Sequence, residues 1–418
     1  MRNRITALVG IALVALAALP ARAERHPEHM LTLGFQTEYA DIVALARPGP
    51  TTVNDDAGTL TAGFQIQQAI RGDAAPGTRL DVVHRSLGHG EIWKDGTLYL
   101  VFLRAVPDAG DGHYESLSGA FGFRPVVDDT PSARFPGIVA QIAATLGDTS
   151  SERATVADPD ALRALLASLA TDADDGIAAS AALDLVRHEE LLPGLGDAER
   201  LALVTSFRAR TPGRARRQIA LAAAAGGHVE AANALVNGLL EPKARLDRGG
   251  LADALYRLGD ARSEDLLLAR LAAADQAQKG NLLVALGKLG AARSVARVTA
   301  LLAAPEPAVR VEAAHALGNV ARNVHRATPG DVVSGRAELI ALLDAAEKRG
   351  GEAARTGAPA PPDTRNEIRA ALWALAQLDD PQAFSALREI AASTERSAAV
   401  RDYATRILAR PRVMLILD

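Results

Sequence analysis

Apolar and polar positions follow two different periods along this chain, and the change falls near Asp158. Before it, short runs alternate with period two, the pattern of strands with one buried face. Asp41–Ala46, Gly63–Ile70, Leu80–His84, Thr97–Leu103 and Glu115–Val127 predict five or six strands. In the second run Phe64, Ile66 and Gln68 share a face. Turns at Pro76-Gly77 and Lys94-Asp95-Gly96 separate the runs, so residues 35–130 are expected to form a small all-β barrel.

After Asp158 the period is helical and repeats itself. Ala254-Leu255, Ala285-Leu286 and Ala316-Leu317 are spaced by 31 residues, and so are Leu251, Leu282 and Ala313, then Leu258, Leu289 and Val320. A second series, Val236, Leu267 and Val298, keeps the same step. Each unit therefore reads as a helix pair whose apolar stripe is covered only when pairs stack. Gly290 stands where a C-cap ends one helix, and Gly250 and Gly259 are read as caps as well. The next Ala-Leu arrives at Ala374-Leu375, 27 residues late. The intervening Gly-, Ala- and Pro-rich stretch, about 349–363, is expected to be an inserted loop after an extra helix over 337–348.

These patterns divide the chain into a signal segment 1–23, a flexible stretch 24–34, the barrel 35–130, a linker helix and loop 131–157, helical repeats 158–410 and a strand-like tail 411–418. The signal reading rests on Arg2 and Arg4, an uncharged apolar run from Ile5 to Leu19, and Ala21-Arg22-Ala23 as cleavage site. It predicts a periplasmic or secreted protein with no stable membrane insertion after cleavage. The tail is expected to dock on the last repeat, to pair with the barrel or to engage a partner.

Two resemblances follow. "ADIVALA", "GFQIQQAIRGDAAPGTRLDVV", "WKDGTLYLVFLRAV" and "YESLSGAFGF", with Arg71-Gly72-Asp73 and Asp95-Gly96, resemble the OB-type barrel of netrin and tissue-metalloprotease-inhibitor modules. Inhibitors of that kind chelate zinc through an N-terminal cysteine, and this chain has no cysteine, so that activity is not implied. "NLLVALGKLG", "AVRVEAAHALGNVA" and "EIRAALWALAQLDDPQAFSALREI" resemble the short HEAT-like repeats also seen in phycobilin-lyase relatives. That resemblance implies an α-solenoid over about 160–410 and no lyase chemistry. The expected fold class is multidomain: an OB-like all-β barrel followed by an all-α HEAT-like solenoid.

Composition narrows the function. The absence of cysteine excludes thiol catalysis and thiolate-bound zinc. The formal charge of −4 falls to −7 once Arg2, Arg4 and Arg22 are removed, which argues against a nucleic-acid partner. No nucleotide, phosphate or nucleophile motif occurs, and no cofactor is expected. Outward positions on the first helix of each pair are the candidate binding residues: Tyr256, Arg257, Lys279, Asn281, Arg310, Glu312, His315, Asn319, Arg369, Trp373 and Gln377. Aromatic residues and arginine carry much of the energy at interfaces. The expectation is a non-catalytic scaffold for a protein or peptide, with the barrel as a second surface or as a cap for the first repeat. Two alternatives stand beside it: a metal-dependent enzyme using His84, His89 and Glu91, and a structural spacer in an envelope or surface assembly.

Overall fold

The computed structural model describes residues 31–54, 59–85, 93–94, 96–106, 113–147, 153–290, 292–327, 333–355 and 362–409. Residues 1–23, expected to be a signal segment, His89, Glu91 and the tail 411–418 lie outside these residues. The chain divides into two compact bodies, the first ending at Gly194 and the second beginning at Leu195. The expected fold class is the one observed.

In the first body, strands β1 (Ile42–Asn54), β2 (Thr59–Arg71), β3 (Arg79–Arg85), β4 (Tyr99–Ala105), β5 (His113–Ser116) and β6 (Phe123–Pro125) form one sheet. Its order is β1-β2-β3-β5-β4, closed by a β1–β4 pairing, with β6 on β4. The β3–β5 pair is parallel and the other pairs are antiparallel. Closure leaves the five-stranded ring without a free edge. Alternate side chains fill it: Ala62, Phe64 and Ile66 from β2, Leu80 and Val82 from β3, Val101 and Leu103 from β4. Trp93 and Phe123 complete an aromatic cluster with Phe64, their ring centroids 5.1–5.5 Å apart. Gln68 does not share the inner face with Phe64 and Ile66, but is exposed. The register jumps between Leu45↔Gln68 and Ala46↔Ile66, so a bulge at Gln67 adds one residue and turns Gln68 to solvent.

The same body holds α1 (Leu33–Tyr39), α2 (Phe135–Ala144), α3 (Pro159–Leu169) and α4 (Asp175–Arg187). The stretch read as flexible up to residue 34 thus already contains the start of α1, whose N-cap is Thr32.

The second body is a stack of hairpins: α5 (Asp197–Ala209) with α6 (Arg214–Gly226), α7 (Ala231–Leu239) with α8 (Arg248–Leu258), α9 (Arg262–Leu271) with α10 (Gln276–Leu289), α11 (Val295–Ala300) with α12 (Pro307–Ala327), α13 (Arg336–Arg355) with α14 (Pro362–Gln377), and α15 (Pro381–Ala392) with α16 (Ala398–Ala409). Helices α6, α8, α10, α12, α14 and α16 form one row, each packed on the next. The 31-residue seam is their core. Leu251, Ala254 and Leu255, then Leu282, Ala285 and Leu286, then Ala313, Ala316 and Leu317 are all 2% exposed or less. Ala371, Ala374 and Leu375 continue it on α14, and Ala220, Ala223 and Ala224 extend it back to α6. Alanine in these places lets helix axes approach closely.

Gly227, Gly259 and Gly290 end α6, α8 and α10 in the left-handed conformation, with φ of 71°, 62° and 67°. Gly250 is not a cap. It lies in the first turn of α8, where an added Cβ would meet the Arg217 side chain at 2.7 Å. The late return of the seam also differs from the expectation of a loop. Most of the extra chain is helix: α12 runs on to Ala327 and α13 to Arg355, so 349–355 are helical, and 356–361 lie outside the described residues. Alanine-rich composition favours that outcome, since alanine is the best helix former.

Candidate functional site

The row α6, α8, α10, α12, α14 and α16 presents an open face; its helices come second in each hairpin, not first as expected, because each packs on the helix before it, and the candidate residues sort along it by what they touch. Asn281 and Gln377 are buried rather than outward. Asn281 Nδ2 donates to the Leu239 carbonyl at 3.0 Å, holding α10 to the end of α7. Arg310 is structural as well. Its guanidinium donates to Glu367 Oε1 at 2.5 Å and to the carbonyls of Ala304 and Pro305, and Arg349 reaches the same buried Glu367 from the other side. Asn281, Arg310 and Gln377 are engaged for one reason: neighbouring repeats approach closely enough that a position expected to face outward on one helix faces the next.

Trp373 is half-buried. Its ring lies edge-on to His315 at 5.5 Å and covers Gly318, where a Cβ would meet it at 2.5 Å. His315 keeps an exposed edge, but its other side is crowded. Burial pulls its pKa down, Arg248 adds to the effect and Glu312 opposes it. Arg369 is exposed and lies 6.0 Å from the Tyr403 ring, beside Arg365 and Arg406 in a hollow of about 880 Å³ at the last repeat. Arg257 is exposed and Lys279 half-buried.

The remaining candidates meet in two hollows on α8, α10 and α12. The first, about 600 Å³, lies at the N-terminal ends of these helices. Glu312 Oε1 accepts from Arg248 Nη1 there at 2.9 Å, bridging α8 to α12. The second, about 370 Å³, lies toward their C-terminal ends and brings together Tyr256 and Asn319. Glycine makes room for it. Tyr256 and Gly287 are repeat-equivalent positions 31 residues apart, and a Cβ at Gly287 would stand 3.0 Å from Ala316 Cα. Helices α10 and α12 therefore close up, and the tyrosine ring on α8 faces an open floor.

Five polar residues of this second hollow escape a reading based on the repeat. Asp253 accepts from Lys288 Nζ at 2.6 Å, and the same ammonium lies 5.7 Å from the Tyr256 ring centroid. Arg322 and Arg326 come from the overhang of α12. Val320 is the repeat-equivalent of Leu289, the last residue of α10, and α12 continues seven residues beyond it. The overhang is fixed by Asn323, whose Nδ2 donates to the carbonyls of Gly287 at 3.2 Å and Lys288 at 3.0 Å, end groups of α10 that lack intrahelical partners. Arg322 Nη2 donates to Asn319 Oδ1 at 3.1 Å. The signal available in the sequence was the missed seam after Leu317, which marks α12 as atypical without giving its length.

In the first body, His84 packs edge-on to Trp93 and Phe123 at 6.3 and 6.1 Å, and burial lowers its pKa. Among the described residues no three His, Asp or Glu side chains converge as metal ligands. No helix among them is long and apolar enough to cross a membrane.

No family model matches the chain, and no curated protein matches it. Among solved structures it is similar to the complex of CpcE and CpcF of phycocyanin lyase from Nostoc sp. PCC7120, at 18% identity over 61% of this chain and 92% of that one, with a TM-score of 0.30. It is also similar to an engineered protein at 17% identity over 67% of this chain and 75% of that one, with a TM-score of 0.27. At these TM-scores neither likeness bears on function.

Proposed function

We propose that this chain is an exported, non-catalytic scaffold that binds a protein or peptide on the open face of α8, α10 and α12. The observation that carries the reading is the pair of hollows at opposite ends of the same three helices, about 600 and 370 Å³, lined by Arg248, Glu312, Tyr256 and Asn319. A tyrosine ring between polar groups that converge from three helices is the composition of an interface hot spot. A partner spanning both hollows follows the helix direction and meets residues from all three helices. Export is supported by the basic head, apolar run and small-residue cleavage site of residues 1–23. The barrel supplies a second surface, resembling that of netrin-type modules.

The test is cross-linking of the full-length protein in its extracytoplasmic fraction. A specific partner is expected to cross-link within residues 248–326, and its recovery is expected to fall at least tenfold with Tyr256→Ala. Recovery unchanged by Tyr256→Ala and by Glu312→Ala, with cross-links elsewhere, would place the binding surface off this face.

A further inference from the structure

The hollow lined by Tyr256, Lys288, Arg322 and Arg326 has an electrostatic imbalance that its own side chains do not relieve. It holds three cations and one carboxylate, Asp253, which is committed to Lys288. Neither Arg322 nor Arg326 has a carboxylate partner among the described residues. Arg322 is half-buried, and its Nε is buried without a hydrogen-bond partner. Burial and the adjacent Arg326 both lower its pKa, the direction expected where cations are held together without an anion. Three other arginines of the same body do have carboxylate partners: the buried Arg216 pairs with Glu241 and Asp247, the half-buried Arg310 with Glu367, and the half-buried Arg396 with Asp344 and Glu347.

The hollow is also preorganised. Asn319 orients the Arg322 guanidinium, Asn323 anchors the overhang that carries both arginines, and Tyr256 supplies a flat apolar wall. Guanidinium groups present paired N–H donors that match the two oxygens of a carboxylate.

We infer that this hollow is a carboxylate pocket: it takes an acidic group of the bound peptide, either an Asp or Glu side chain or a chain-terminal carboxylate, between Arg322 and Arg326, with the adjacent residue on Tyr256. The inference rests on the reading of this face as a peptide-binding surface and names what that surface selects. One carboxylate adds a single negative charge, which two guanidinium groups accommodate beside the paired Asp253. The pocket therefore makes recognition dependent on one acidic position in the partner and not on overall negative charge.

The experiment uses the full-length protein, labelled and applied to a random peptide array printed in duplicate with free and with amidated C-termini. Bound peptides are expected to share an Asp or Glu, or to lose binding on amidation, which tells the side-chain source from the terminal one. Binding is expected to fall at least tenfold with Arg326→Glu and with Arg322→Ala, to be only partly restored by Arg322→Lys, and to stay unchanged with Arg388→Ala on α15. Arg326 is exposed, so Arg326→Glu tests the pocket without relying on a substitution in the packed interior. Bound peptides with no shared carboxylate, still lost with Tyr256→Ala, would overturn the pocket and leave the scaffold reading standing. Binding indifferent to Tyr256, Arg322 and Arg326 alike, or no binding on either array, would overturn both. A preference for phosphopeptides over their acidic counterparts would overturn the carboxylate assignment.

Discussion

Glu38, near the end of α1, is 1% exposed, a placement that a lone carboxylate does not tolerate. Burial alone raises its pKa, but Arg187 donates to both of its oxygens at 2.6 and 2.7 Å, His188 lies 2.6 Å away, and Arg153 Nε donates at 2.9 Å. The cationic partners win, and the pKa is lowered to about 2. On the same α4, Asp184 accepts from Thr32 Oγ1 at 2.5 Å and from the Gly34 and Phe35 amides, which closes the start of α1. Gly34 is required there because a Cβ would stand 2.5 Å from the carboxylate. Since the folded pKa of Glu38 lies below its ordinary 4.5, its contribution is complete above that value and is lost as pH falls from 4.5 toward 2. The shift corresponds to about 3 kcal/mol. Glu38→Gln is expected to destabilise the first body by about 3 kcal/mol at pH 7, by removing the charge that Arg187, Arg153 and His188 share and leaving only Asp184 to pair Arg187 and Glu190 to pair His188. The loss should shrink as acid removes the same charge from the wild type. Urea unfolding at pH 7 and pH 3 measures it, and an equal loss at both would show that the carboxylate charge is not what matters.

At the scale of elements, the seam between α10 and α12 depends on a side chain that is absent. Gly287→Ala would bring a Cβ to 3.0 Å from the Ala316 backbone, a contact that no rotamer relieves, so the helices must separate. A cost of about 1–3 kcal/mol is expected, as for other overpacked interfaces, along with loss of peptide affinity as Tyr256 and Arg322 move apart. Chemical denaturation together with peptide binding by the same variant checks both; an unperturbed midpoint would mean that the helices yield without strain. What the chain revealed beforehand follows the same lines. The seam was legible because Leu255, Leu286 and Leu317 recur at one interval, and burial enforces that interval in every repeat. The strands were legible from alternation, except where the bulge at Gln67 changed the face of Gln68. Arg322 and Arg326 were not, because they sit on a helical overhang with no counterpart in the preceding repeats. Asn281 and Gln377 were misplaced because a single helix's stripe does not show how closely the neighbouring helix stands.

For the whole molecule, the division at Gly194/Leu195 and the repeat construction of the second body set how stability is distributed. In a stack of hairpins each unit is held chiefly by its neighbours, so a defect in the middle weakens two interfaces at once. Leu286 is fully buried on α10, the helix between α8 and α12 in their row. Leu286→Ala removes a buried isobutyl group and leaves a cavity, for which about 2–5 kcal/mol is the usual cost. If the two bodies unfold as separate units, calorimetry of the full-length protein will resolve two transitions. Leu286→Ala will then lower only the one belonging to the second body, and Glu38→Gln only the other. Because the carboxylate pocket lies on α8, α10 and α12, an acidic peptide selected on the array should raise the transition that Leu286→Ala lowers, in proportion to the logarithm of peptide concentration once the site is saturated. A single transition shifted equally by both substitutions would show that the bodies unfold together, and stabilisation of the Glu38-sensitive transition alone would place the peptide on the first body.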